Sequence, residues 1–178
     1  MGYLLDTNIV SDFVRYRQRA VARRIRERGE ADVLTSIVVA AELRFDATKR
    51  GVPRLARRID EVLARLAVLP LDEPADRIYA ELRARLERQG QPLGANDLLV
   101  AATALADDHP LVTADQAFVR IAELPCENWL DAAGGADSEW RAGSSESSIS
   151  QDLIAEDTTT PRPWCIPVRP IRLPDRPI

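Results

Sequence analysis

Short apolar runs alternate with longer stretches of helical spacing along most of the chain. Tyr3-Leu4-Leu5 stops abruptly at Asp6-Thr7-Asn8, which predicts a strand ending in turn or helix-cap residues. Helices are expected over Ile9–Arg15 and Gln18–Arg28, with Gly29 as a stop. Asp32–Thr35 is a second short strand, and Thr35 or Ser36 can cap a helix that runs to about Lys49 and closes at Gly51. Pro53 lies near the start of the next helix, where Leu55, Ile59, Val62, Leu63 and Leu66 keep one face apolar. After a strand at Ala67–Leu69, Pro74 suits the first turn of a helix that presents Ile78, Leu82 and Leu86.

Gly90–Gly94 predicts a loop. Asn96–Ala106 is apolar nearly all round, as a buried central helix would be. His109-Pro110 ends it, Leu111-Val112 is a buried strand, Asp115–Ile121 a short helix and Cys126–Trp129 a last strand. Strands alternating with helices predict an α/β sandwich with a mainly parallel sheet.

Four acids interrupt this pattern. Asp6 and Asp115 fall at or just past the carboxyl ends of predicted strands, the edge where parallel α/β sheets bind ligands. Glu42 is the one polar residue in Ile37–Leu43, and Asp97 opens the most apolar helix beside Asn96. Carboxylates set against buried segments are costly unless something positive holds them. Hard divalent cations with oxygen-only ligands fit such a set, Mg²⁺ first and Mn²⁺ as the alternative, and Thr113 is placed to add a hydroxyl. Each acid also has a plainer explanation. Asp6 and Asp115 could be helix N-caps, Asp97 a first-turn carboxylate favoured by the helix dipole, and Glu42 the partner of a buried arginine.

Composition narrows the class. The chain has 178 residues, 46% of them hydrophobic and 29% charged, enough for one well-cored domain. Aromatics make up only 5%, so Leu, Val, Ile and Ala should build the core. Two distant cysteines and a single histidine give neither a disulfide framework nor a zinc site, and His109 reads as a solvated turn residue. MGYLLDTN lacks the features of a signal peptide, and no apolar run is long enough to span a membrane, so a cytoplasmic protein is expected. Composition shifts near Ala132: Ser144–Ser150, Thr158–Thr160 and six of the twelve prolines follow Gly134. The expected organisation is a domain over 1–131 and a low-complexity, disordered tail over 132–178. Trp164, Ile166 and Val168 alternate like a strand that Pro167 and Pro170 would confine to a sheet edge.

The segments LLDTNIVSDFV, SIVVAAELRF and GANDLLVAATALADDHPLVTADQAFVRI, ending in ENWL, together resemble the PIN-domain ribonucleases. More closely, they resemble the VapC-type toxins of bacterial toxin–antitoxin pairs over roughly Met1 to Asp131. The resemblance implies a PIN-like three-layer sandwich and a metal site at Asp6, Glu42, Asp97 and Asp115. It also implies supporting roles for Thr7, Asn8, Asn96 and Thr113. Metal-assisted RNA hydrolysis, a homodimer and a cognate antitoxin are implied in the same way. Asp46 departs from the pattern, standing one helical turn after Glu42 where such toxins commonly have glycine.

The net charge of −4 leaves RNA contacts to local clusters. Arg15, Arg17, Arg19, Arg23, Arg24, Arg26 and Arg28 form one, and Arg44, Lys49, Arg50, Arg54, Arg57 and Arg58 a second. Either could be a solvated helix face or a set of phosphate contacts, with Arg15, Arg17, Arg19 and Arg44 the candidates for RNA. Two other readings compete. Strand–Asp6-Thr7-Asn8 resembles the nucleophile loop of haloacid-dehalogenase-type phosphatases, but Asn8 stands where that chemistry wants an acid. The other is a non-catalytic PIN-like interaction module.

Overall fold

The computed structural model describes residues 2–16 and 19–130. The expected tail over 132–178, with its Trp164–Val168 alternation, lies outside the described residues, as does Arg17.

Five short strands form one sheet: β1 (Tyr3–Leu5), β2 (Val33–Ser36), β3 (Ala67–Leu69), β4 (Leu111–Val112) and β5 (Cys126–Glu127). Their spatial order is β3-β2-β1-β4-β5, and every pairing is parallel. Leu4 and Leu5 of β1, all four residues of β2, and both residues of β4 are buried. Because successive strand residues face opposite sides, helices must cover both faces, which gives the three-layer sandwich. The helices are α1 (Thr7–Arg15), α2 (Ala20–Arg28), α3 (Ile37–Arg50), α4 (Pro53–Leu63), α5 (Ala75–Arg88) and α6 (Ala95–Ala106). Among the described residues no helix is long and apolar enough to cross a membrane.

The chain steps outward from β1 through β2 to β3, then returns to the other side of β1 for β4 and β5. The order therefore reverses between β1 and β4, and a crevice at the carboxyl ends of those strands is where such sheets place ligands. Asp6 directly follows β1, and its N–H donates to the carbonyl of Val112 at 3.0 Å. Thr113 follows β4, and its N–H donates to the carbonyl of Glu127 at 2.9 Å.

Most element boundaries agree with the sequence pattern, and the differences trace to caps. α1 begins at Thr7 rather than Ile9, because Asp6 itself is the N-cap. The expected helix at Asp115–Ile121 is a 3₁₀ turn, Gln116–Arg120, and the strand expected to reach Trp129 ends at Glu127. Ser36 caps α3 by accepting from the N–H of Val39, and Gly51 closes that helix in the left-handed region at φ 65°. The core is aliphatic as composition suggested, with Phe118 and Trp129 as its bulky exceptions. His109 is not a solvated turn residue. It is half-buried, and its Nδ1 accepts from the N–H of Gly2 at 3.4 Å.

Candidate metal and nuclease site

Asp6 is held from several sides. Its Oδ1 accepts from the N–H of Thr7 at 2.7 Å, and its Oδ2 accepts from Thr113 Oγ1 at 2.7 Å and from Asn8 Nδ2 at 2.9 Å. Only 7% of the residue is exposed. Loss of hydration pushes its carboxyl from an ordinary 3.8 up to about 6, against the Thr113 and Thr7 hydrogen bonds and with help from the charges of Asp97 and Glu42.

Asn8 and Thr113 join the β1–α1 junction to the loop after β4. Asn8 Nδ2 donates to Thr113 Oγ1 at 3.1 Å, and Asn8 Oδ1 accepts from the N–H of Ala114 at 3.2 Å. Thr113 Oγ1 in turn accepts from the N–H of Asp115 at 3.0 Å. Asp115 is exposed and caps the 3₁₀ turn by accepting from the N–H of Ala117 at 2.8 Å.

Glu42 projects from the second turn of α3 and is half-buried. Thr7 Oγ1 donates to its Oε2 at 2.5 Å, and Asn96 Nδ2 donates to its Oε1 at 2.7 Å. Thus α1, α3 and α6 meet at one carboxylate. Among the described residues no arginine lies within ion-pair distance of Glu42, whose partners are the Thr7 hydroxyl and the Asn96 amide rather than a buried arginine. Asp97, half-buried in the first turn of α6, is pushed upward by burial and then by the charges of Asp115 and Glu42, while the N–H of Gly94 works the other way.

Sequence reasoning missed Gly94. A Cβ there would lie 2.7 Å from Asp97 Oδ2, so any larger residue would make the carboxylate shift from its place over the helix start. The available signal was Gly-Ala-Asn-Asp, which sets an acid three residues after the cap, as in a capping box.

Asp6 therefore feels the charge of Asp97 and Glu42, and Asp97 that of Asp115 and Glu42, and capping describes part of what three of the four acids do. Among the described residues, none of the four has a cationic side chain within ion-pair distance; the recorded ion pairs all lie elsewhere. Nor, among the described residues, do three His, Cys, Asp or Glu side chains converge tightly enough to form a ready metal cage. In donor chemistry the set fits a hard divalent cation, being oxygen-only, anionic and without a competing base.

The two basic clusters differ. Arg23 and Arg24 lie beside Glu27, and Arg28 pairs with Glu127 at 3.7 Å. Arg26 donates to the carbonyl of Ala22, and Arg19 stacks 3.4 Å over the Tyr16 ring. Arg15 and Arg19 lower the proton affinity that burial raises at Asp12. Arg44, one of the candidates for RNA, is engaged with Asp60 at 3.3 Å.

Comparison with known proteins agrees with this geometry. The PIN domain family model matches residues 3–124. Ribonuclease VapC2 of Haemophilus influenzae is 32% identical over 132 residues, covering 73% of this chain and 99% of that protein. Among solved structures, VapBC2 from Rickettsia felis bound to a promoter DNA fragment matches with a TM-score of 0.68 and 31% identity, over 72% of this chain and 99% of that one. VapBC-5 of Mycobacterium tuberculosis, described as a member of the VapBC family of toxin–antitoxin systems, matches at 0.53 and 28%, over 71% and 96%. The chain belongs to the PIN-domain family and, within it, to the VapC type.

Proposed function

We propose that this chain is a divalent-metal-dependent endoribonuclease and the toxin of a toxin–antitoxin pair. The observation that carries the reading is the gathering of Asp6, Glu42, Asp97 and Asp115 towards the sheet's switch point, with no cationic side chain among the described residues within ion-pair distance of them. The name of the H. influenzae relative supports ribonuclease chemistry, and the VapBC complexes support a protein partner.

Asp6, Glu42, Asp97 and Asp115 would hold Mg²⁺, or Mn²⁺ in its place. Such an ion supplies a water of lowered pKa and positive charge for the oxygens of an in-line displacement. The protein's own part is positioning. Thr113 and Asn8 fix Asp6, while Thr7 and Asn96 fix both oxygens of Glu42. The Thr7 and Thr113 hydroxyls are committed to carboxylates, which suits attack by water rather than by a side chain. An RNA substrate, a homodimer, a cognate antitoxin and a cytoplasmic location complete the proposal.

The test is cleavage of RNA by the full chain in Mg²⁺ or Mn²⁺ and in chelator, beside Glu42→Gln. Divalent-dependent cleavage lost in the variant is the expected result. The loose spacing of the acids favours a second reading, a non-catalytic interaction module. A folded chain that cleaves no RNA in either metal would establish that reading instead.

A further inference from the structure

One stretch of this acidic chain is dense in positive charge. From Lys49 to Arg58 there are five cations, Lys49, Arg50, Arg54, Arg57 and Arg58, and no acid. All five are exposed, and among the described residues none has a carboxylate within ion-pair distance. The α2 arginines, by contrast, are largely taken up by Glu27, Glu127 and the chain's own carbonyls. Arg44 and Asp60 tie α3 to α4, and the five cations sit on the corner those helices form.

An aromatic ring joins this corner to the acidic crevice. Phe45 is 63% exposed, and Lys49 Nζ lies 5.9 Å from its centroid. Glu42, Phe45 and Lys49 stand at i, i+3 and i+7 of α3, which places carboxylate, ring and ammonium on one helix face. From Glu42 to Lys49 the axial rise is about 10 Å.

Resting on the ribonuclease reading above for its chemistry, we propose that this face is the track on which single-stranded RNA leaves the site. One base stacks on Phe45, and the following phosphates meet Lys49, Arg50 and the exposed α4 arginines. A polyanion with unstacked bases satisfies both features at once, because the cations take its phosphates and the bare ring takes a base.

The experiment uses the full chain in chelator, so that binding is read without cleavage, with a labelled single-stranded RNA oligonucleotide. Phe45→Ala should weaken binding by about tenfold, in line with the loss of one stacked base. A triple Arg54→Ser, Arg57→Ser, Arg58→Ser variant should bind more weakly still, with a salt slope shallower by about 2, at roughly 0.7 for each lost phosphate contact. Both variants should keep the wild-type melting temperature. Unchanged affinity and slope in both, with wild-type cleavage intact, would overturn the track and leave the nuclease reading standing. Weakened binding as described by a chain that never cleaves RNA would overturn the nuclease reading and keep the track. Altered self-association or lost protein binding at unchanged RNA affinity would assign the face to a protein contact and overturn the proposal.

Discussion

The closed and open sides of the acidic crevice differ in how firmly they are built. On the closed side Asp6 is buried and takes three hydrogen bonds, from the Thr7 N–H, Asn8 and Thr113. On the open side Glu42 and Asp97 are half-buried and Asp115 is exposed, with fewer bonds to each. Burial costs Asp6 its hydration, so it binds a proton more tightly, yet the same donors leave it little freedom to move. Asp6 is thus a fixed point, and the other three acids are adjustable around it. Were the proposed cation bound, Asp6 would meet it as a rigid ligand while the other three acids could follow the ion.

The strongest way to break this division is to neutralise an open-side acid without disturbing its neighbours. Gln in place of Glu42 can still accept from Asn96 and can donate to the Thr7 hydroxyl, so stability should change by less than about 1 kcal/mol. Removal of an anionic ligand should nonetheless lower Mg²⁺-dependent RNA cleavage by about 10³-fold, several kcal/mol of transition-state stabilisation. Steady-state cleavage and a urea melt on the same preparation check both parts.

The closed side should reveal itself in pH dependence. Asp6 binds its proton more tightly in the folded protein, at about 6, than at the ordinary 3.8 expected when unfolded. Between those values the folded state carries more protons, so in chelator stability should fall as pH rises through the window, by about 3 kcal/mol in all. Chemical denaturation at stepped pH measures the slope, and Asp6→Asn should flatten it. A chain equally stable across the window would mean that Asp6 is not desolvated.

Thr113→Val removes the hub of the closed side, leaving the Asp115 N–H without its acceptor and Asp6 with two of its three donors. The expected cost is about 1–3 kcal/mol of stability. Cleavage should fall by about 10–100-fold, as when a group that orients a metal ligand is lost. Smallest of all is Asp46→Asn, which relieves like charge one turn from Glu42 and should raise activity about twofold. A decrease would instead make Asp46 a contributor to the site.

Much of this was legible in the sequence for a physical reason. Strands as short as Leu111-Val112 stood out because parallel strands buried on both faces read as unbroken apolar runs that end sharply at polar caps. The four acids were visible because each breaks such a pattern. What could not be read is the bonding between distant segments. Asn8 reaches Thr113 and Ala114 more than a hundred positions away, and no local pattern encodes that. Gly94 was hidden for a similar reason, since its value lies in the space that Asp97 occupies. The contrast between the ion-paired arginines of α2 and the cations of the α3–α4 corner, which have no ion pair among the described residues, likewise needed the fold, because sequence shows charge without partners.

Asp97→Asn tests the shared metal site most directly, with two quantities measured on the same protein. Asn can keep the acceptor that faces the N–H of Gly94 while losing the charge that Asp115 and Glu42 oppose. In chelator the variant should melt at or above the wild-type temperature, and in Mg²⁺ it should leave RNA uncleaved while the wild type cuts it. A destabilised Asp97→Asn chain that still cleaves RNA in a Mg²⁺-dependent manner would contradict the assignment and reduce Asp97 to a helix cap.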